Sequence, residues 1–207
     1  MHFSSQGAEL VAAWEGLPDG DHSTVNLDPY MDPVGIWTIG YGRALRGKDG
    51  QYLKGPSKRA EAFGQYPGGI TPAKAKDMLR EDLDKISGEV TTLAGAATNQ
   101  NQFDALLSFH FNTGALAAST LLKLHKRAVG AGSKLSDAEI KTLFAQVRGK
   151  TLGTPATIPQ AFAAYSFASK AFLGGLFCRR LAEARLYAGD TAAAANAYGA
   201  HVRTVIA

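Results

Sequence analysis

From residue 75 to residue 93 the apolar side chains recur at three- and four-residue steps without a break: Ala75, Met78, Leu79, Leu83, Ile86, Val90 and Leu93. A strand cannot use that spacing, because its alternate side chains face opposite ways. A helix gathers positions i, i+3, i+4 and i+7 into one stripe. Thr71-Pro72 supplies the start, a capping hydroxyl followed by a proline at the first helical position, where an absent N–H is harmless. One long amphipathic helix is predicted, and the rest of the chain must cover its stripe.

Other segments carry similar signals. A first helix runs from Ser4 or Ser5 to Glu15, with Phe3, Leu10, Val11 and Trp14 on one face and Gly16 as the stop. Asn99 with Gln102 and Ser136 with Glu139 read as capping boxes. They open helices that carry Phe103, Leu106, Leu107 and His110, ending at Gly114, and Ile140, Leu143, Phe144 and Val147. Further helices are expected over Gln160 to Phe172, Leu176 to Tyr187 and Thr191 to Val205. Between the first helix and the long one the pattern changes. LPDGDHSTVNLDPY reads as loop, Asp32-Pro33-Val34-Gly35 fits a type I turn, and IWTIGYG fits a short strand. Residues 46–69 are polar and glycine-rich, with strand character at Gln51 to Leu53 and a short helix near Ser57 to Phe63. The class is α+β: a small β-containing lobe between an initial helix and a helical bundle.

Composition removes several kinds of function. The net charge of +4 is scattered rather than gathered in a run, which argues against nucleic acid as a partner. The single cysteine, Cys178, excludes an internal disulfide framework and is expected in the core, and the five histidines show no metal-ligand spacing, so no metal or other cofactor is expected. The start MHFSSQGAELVAAWEG lacks the basic residues and unbroken apolar run of a signal peptide, and no window is long and apolar enough to span a membrane. The expectation is a protein without stable membrane association that stays in the cytoplasm unless something else lets it out.

The stretch DPVGIWTIGYGR is where chemistry can reside. Glu15, at the carboxyl end of its helix, feels the partial negative charge of unpaired carbonyls, which favours the protonated form that a general acid needs. Asp32 starts a polar turn where water and amides keep it ionised, so the two carboxyls are pushed toward acid and base roles. Thr38 adds a hydroxyl on the strand leaving that turn. Gly40 and Gly42 share its face, where missing side chains would make room for a bulky substrate. Each group also has a plain structural reading: a solvated helix end, an aspartate before proline in a turn, a threonine as strand former.

Four blocks tilt the balance. AAWEG (12–16), YMDPVGIWTIGYGR (30–43), NQNQFDALLSFHFNTG (99–114) and GLFCRRLAEARLY (175–187) resemble, in order, the signatures of phage-type lysozymes, the endolysin muramidases of glycoside hydrolase family 24. The resemblance implies a lysozyme-like fold: residues 1–207 as one catalytic domain, with a small β-rich N-terminal lobe and a larger helical C-terminal lobe joined by the long helix. The lobe boundary is expected near residue 70, with the first helix packed on the helical lobe. It implies hydrolysis of the β-1,4 bond between N-acetylmuramic acid and N-acetylglucosamine in peptidoglycan. Glu15 is then the acid, Asp32 the base or electrostatic stabiliser, and Thr38 the hydroxyl that positions water; Tyr41, Arg43, Phe111 and Asn112 are the substrate-binding candidates. A monomer needing a holin pore to leave the host cytoplasm for the wall is expected.

Two departures stand out. Sixteen residues separate Glu15 from Asp32, where the family usually has eight, which makes Asp19, Asp21 and Asp28 rival acids. Arg43 stands where many relatives have histidine, and either meets acidic groups of the substrate or forms a structural ion pair. Arg179, Arg180 and Glu183 match a signature taken as structural, with the arginines bridging helices. The alternative functions are a noncatalytic wall-binding module, a chitinase or a transglycosylase.

Overall fold

The computed structural model describes residues 1–207 and divides into two compact units, residues 12–83 and residues 1–11 with 84–207. Helix α1 (Ser5–Glu15) and helix α3 (Pro72–Ala94) each contribute residues to both units. Their starts are set as the sequence predicts: the Ser4 carbonyl accepts from the Ala8 amide at 3.1 Å, and the Thr71 hydroxyl accepts from the Lys74 amide at 3.1 Å.

In residues 12–83 a three-stranded antiparallel sheet is ordered β1 (Tyr30–Met31), β2 (Trp37–Ile39), β3 (Arg43–Ala44). Tyr30 pairs with Thr38, Met31 with Trp37, Thr38 with Ala44 and Ile39 with Arg43. The turn between β1 and β2 is the one expected: the Gly35 amide donates to the Asp32 carbonyl at 2.9 Å. Isolated bridges Ile36 to Lys54 and Arg46 to Tyr52 extend the sheet into the glycine-rich segment, which then forms a 3₁₀ turn and helix α2 (Arg59–Gln65). Trp37, Ile39, Leu45, Leu53, Ala62, Ile70, Ala75 and Met78 make this unit's core, with the Trp37 and Phe63 rings edge to face at 6.0 Å.

The expected strand IWTIGYG is cut short. It ends at Ile39, because Gly40 (φ +61°) and Gly42 (φ +87°) adopt left-handed backbone and turn the chain into β3. Nor does Gly40 leave room for a substrate. A Cβ there would meet that of Ala75 at 3.3 Å, so the missing side chain lets the hairpin lie against α3. At Gly42 the space is open.

In the other unit, α4 (Gln100–Thr113), α5 (Thr120–Lys126), α6 (Asp137–Arg148), α7 (Ile158–Ala163), α8 (Gly174–Tyr187) and α9 (Ala192–Ile206) enclose a core rich in phenylalanine. Both predicted capping boxes form, and Gly114 ends α4 in left-handed conformation. Cys178 is buried, as expected of a core residue. One expected helix is corrected. Over residues 160–172 the helix stops at Ala163, and a two-stranded hairpin follows, β4 (Phe167–Ala168) and β5 (Ala171–Phe172). Ser169 and Lys170 turn it with φ of 48° and 68°, and the cross-strand pair Phe167 and Phe172 packs edge to face at 5.6 Å.

Candidate active site

Glu15 is the last residue of α1, followed by Gly16, and is half-buried. Asp32 sits where β1 gives way to the turn. One of its carboxylate oxygens, Oδ1, accepts from two turn amides, Val34 at 3.0 Å and Ile36 at 2.8 Å. Those bonds fix the carboxylate plane, and Oδ2 has no hydrogen-bond partner in the protein, so it is the oxygen left for a ligand or water. Thr38 is buried in the middle of β2, and its hydroxyl donates to the Tyr30 carbonyl at 3.2 Å.

The residue that ties these three together is one to which sequence reasoning assigned no role. Tyr30 lies opposite Thr38 in the ladder, its backbone carbonyl accepts from the Thr38 hydroxyl at 3.2 Å, and its phenol lies 3.5 Å from the Gly40 carbonyl. Burial foremost, and then the negative fields of Glu15 and Asp32, push its pKa above the usual tyrosine value. Tyr30, Asp32 and Thr38 are therefore neighbours, and Glu15 is near enough for its charge to be felt at the Tyr30 phenol. The signal that could have found Tyr30 is period-two alternation, which puts it two residues before Asp32 on the same side of the chain.

The rival acids hold the intervening loop instead. Asp19 Oδ1 accepts from the amides of Asp28 (3.0 Å) and Asp21 (3.1 Å), and these bonds lower its pKa. Asp21 accepts from the Ser23 amide and hydroxyl, and Asp28 Oδ2 from the Thr24 hydroxyl at 2.5 Å. A further tie, Asn26 Nδ2 to the Gly68 carbonyl at 2.7 Å, secures the loop.

The four substrate-binding candidates fall in different settings. Tyr41 packs against the core around Trp37 and Ile39. Arg43 makes the ion pair that was one of its two readings: Nε donates to Asp82 Oδ2 at 2.8 Å, and a terminal nitrogen donates to Glu81 at 3.0 Å and to the Met78 carbonyl. This fork clamps the β2–β3 turn to α3. Arg43→Ala is expected to lower stability by about 1–2 kcal/mol, read by urea denaturation, and Arg43→Lys to recover less than half of that because an ammonium cannot span three acceptors. Phe111 and Asn112 belong to the other unit, near the end of α4. Phe111 is half-buried, and the Asn112 side-chain oxygen accepts from buried Arg180.

Known proteins resemble this chain in sequence and in fold. The family model for phage lysozyme matches residues 20–151, a span that contains Asp32 and Thr38 and begins after Glu15. An endolysin of Acyrthosiphon pisum secondary endosymbiont phage 1 is 32% identical over 158 residues, covering 76% of this chain and 91% of its own. The endolysin of Salmonella phage P22 is 32% identical over 125 residues, 59% of this chain and 72% of its own. Among solved structures, the endolysin from Escherichia coli O157:H7 phage FAHEc1 superimposes with a TM-score of 0.59 at 25% identity, covering 91% of this chain and 94% of that one.

Proposed function

Since the chain belongs to the phage lysozyme family, we propose that Glu15, Asp32 and Thr38 are the groups with which it cuts the glycan strand of bacterial peptidoglycan. It is an endolysin, a lysozyme-type hydrolase. In the finer reading it is a muramidase. Glu15 gives its proton to the O4 leaving oxygen of N-acetylglucosamine as the bond from C1 of N-acetylmuramic acid breaks. A water held between Asp32 and Thr38 forms the new bond to C1 and loses a proton to Asp32.

The observation that carries this reading is the asymmetry of Asp32. A carboxylate with one oxygen pinned by two amides and the other unoccupied is oriented yet available, which is what positioning a water requires. A buried hydroxyl on the neighbouring strand supplies the water's second contact. No helix is long and apolar enough to cross a membrane. Passage to the wall through a pore made by another protein, as holin-dependent relatives imply, belongs to the proposal, as does action as a monomer.

Mass spectrometry of digested, purified peptidoglycan tests the bond assignment. Muropeptides ending in reducing N-acetylmuramic acid, one water heavier than anhydro products, are expected. Anhydro ends would make the protein a transglycosylase, and reducing N-acetylglucosamine ends would move the cut to the other linkage.

A further inference from the structure

The helical unit holds a buried histidine that the proposed reaction does not use. His125, near the end of α5, is 9% exposed and has partners on both ring nitrogens. Nδ1 meets the Tyr187 hydroxyl of α8 at 2.7 Å, while Nε2 meets the Thr98 hydroxyl at 2.9 Å and the Ala94 carbonyl, at the end of α3, at 3.2 Å. A carbonyl only accepts, so the proton belongs on Nε2, and Nδ1 keeps its lone pair for the Tyr187 O–H. One neutral imidazole therefore ties α5 to three separate parts of the chain: the end of α3, the connection from α3 to α4, and α8.

A protonated imidazole has no such fit. Its Nδ1–H would point at the Tyr187 oxygen, whose own proton would have to turn away, and the protein gives that phenol no other acceptor. Burial pushes the Tyr187 pKa up to about 12, so the phenol does not yield its proton. Nor is there an acid to hold an imidazolium. The titratable groups facing His125 are Tyr187 from α8 and Lys126 from its own helix, and neither α7 nor the 3₁₀ turn Leu116–Ala118, both packed on α5, has a titratable residue. Burial first, and then the Lys126 charge, hold the His125 pKa below the ordinary histidine value against the opposing bond to Ala94. A way out adjoins the seat: a cavity of about 420 Å³, lined by His125 and Tyr187 and by residues 94–97 and 128–131.

We propose that His125 is an acid-sensitive latch: neutral, it clamps α5 to Ala94, Thr98 and Tyr187; protonated, it leaves that seat for the cavity and lets residues 95–98 and 127–131 open while the rest of the helical unit stays folded. The closed form binds a proton more weakly than the open form. The latch is therefore fully set above about pH 6.5, the ordinary histidine value, and is lost as the pH falls through the lowered value of the closed form. It is independent of the roles of Glu15, Asp32 and Thr38.

Hydrogen exchange reads the opening at three amides, since Thr98, Ala128 and Val129 donate to the carbonyls of Gly95 (3.3 Å), His125 (2.9 Å) and Leu124 (3.2 Å). Their protection factors should fall about tenfold per unit of pH below about pH 6.5, as uptake of one proton on opening requires, until the closed form is itself protonated. Protection of the Ala195 amide in α9 should change less than twofold over the same range. His125→Gln cannot take up a proton and should abolish the dependence. Tyr187→Phe keeps the ring but removes one tie, and should lower the protection of the three amides about two- to tenfold at pH 7.5. The inference is overturned if their protection agrees within twofold between pH 7.5 and pH 5.0, if Ala195 loses as much as they do, or if Tyr187→Phe leaves them unchanged. A folded His125→Gln that keeps the full pH dependence overturns it as well; should that variant fail to fold, the native chain and Tyr187→Phe still decide.

Discussion

Glu15→Gln is expected to lower lysis of outer-membrane-stripped cells by a factor of about 10²–10⁴, the contribution usual for a general acid, with the fold intact. Gln has nearly the shape of Glu and cannot release a proton at neutral pH, so the loss isolates proton donation from packing. Stability should move far less, because the amide keeps the size and shape of the side chain at the end of α1. Activity lost together with stability unchanged or raised is the signature of a residue kept for function. Asp32→Asn is the matching substitution on the other side of the reaction. Its side-chain oxygen can still accept from Val34 and Ile36, so the turn should persist while the negative charge disappears. Activity within tenfold of the unmodified protein in either variant would move that role to another group. Circular dichroism and thermal midpoints measured alongside guard against misfolding as the cause.

What the sequence disclosed and what it withheld divide along the range of the forces involved. Helices announced by local chemistry were legible: Thr71-Pro72 begins α3, Asn99 with Gln102 begins α4 and Ser136 with Glu139 begins α6, each through bonds between residues three apart. The Asp32 turn was legible for the same reason. The hairpin over residues 167–172 was hidden. Phe167, Ala168, Ala171 and Phe172 satisfy helical steps as well as a cross-strand pairing, and Ser169 and Lys170 take positive φ without the Gly or Asn that usually marks such a turn. Helix α5 also went unread, although the Ser119 hydroxyl caps it by accepting from the Leu122 amide at 3.0 Å. Gly40 was given to substrate on strand-face reasoning alone, and only the approach of Ala75, distant in sequence, shows why a side chain is absent. Glu15, Asp32 and Thr38 could be named because a motif links them. Tyr30 was passed over: alternation puts it on the side of Asp32, but only the strand register sets it across from Thr38.

The second large effect is expected far from the sugar chemistry, at Glu183. This carboxylate is fully buried in α8, where it accepts from the Ser108 hydroxyl at 2.8 Å, from Arg179 Nε at 3.0 Å and from a terminal nitrogen of Arg180. Arg180 in turn donates to the Tyr165 carbonyl at 3.2 Å and to the Asn112 side chain, and its guanidinium lies 5.3 Å from the centre of the Phe109 ring. One acid thus lies between two arginines that are themselves 2% and 0% exposed, so its removal takes a buried carboxylate away from two buried positive charges. Glu183→Ala should therefore cost about 3–5 kcal/mol, a large part of the roughly 5–15 kcal/mol that stabilises a typical domain. For a chain of this size that lowers the thermal midpoint by roughly 6–20 °C. Glu183→Gln keeps an acceptor for Ser108 but not the charge, and should fall between Ala and the native protein. The decisive comparison replaces Arg179, Arg180 and Glu183 together with apolar residues of similar volume. If the cluster acts mainly to fix how α4, α8 and the Tyr165 turn pack, the triple variant should be at least as stable as the native chain, because the desolvation of three charges disappears with their attraction. Such a variant that unfolds as readily as Glu183→Ala would show instead that the ionic cluster stabilises the unit outright.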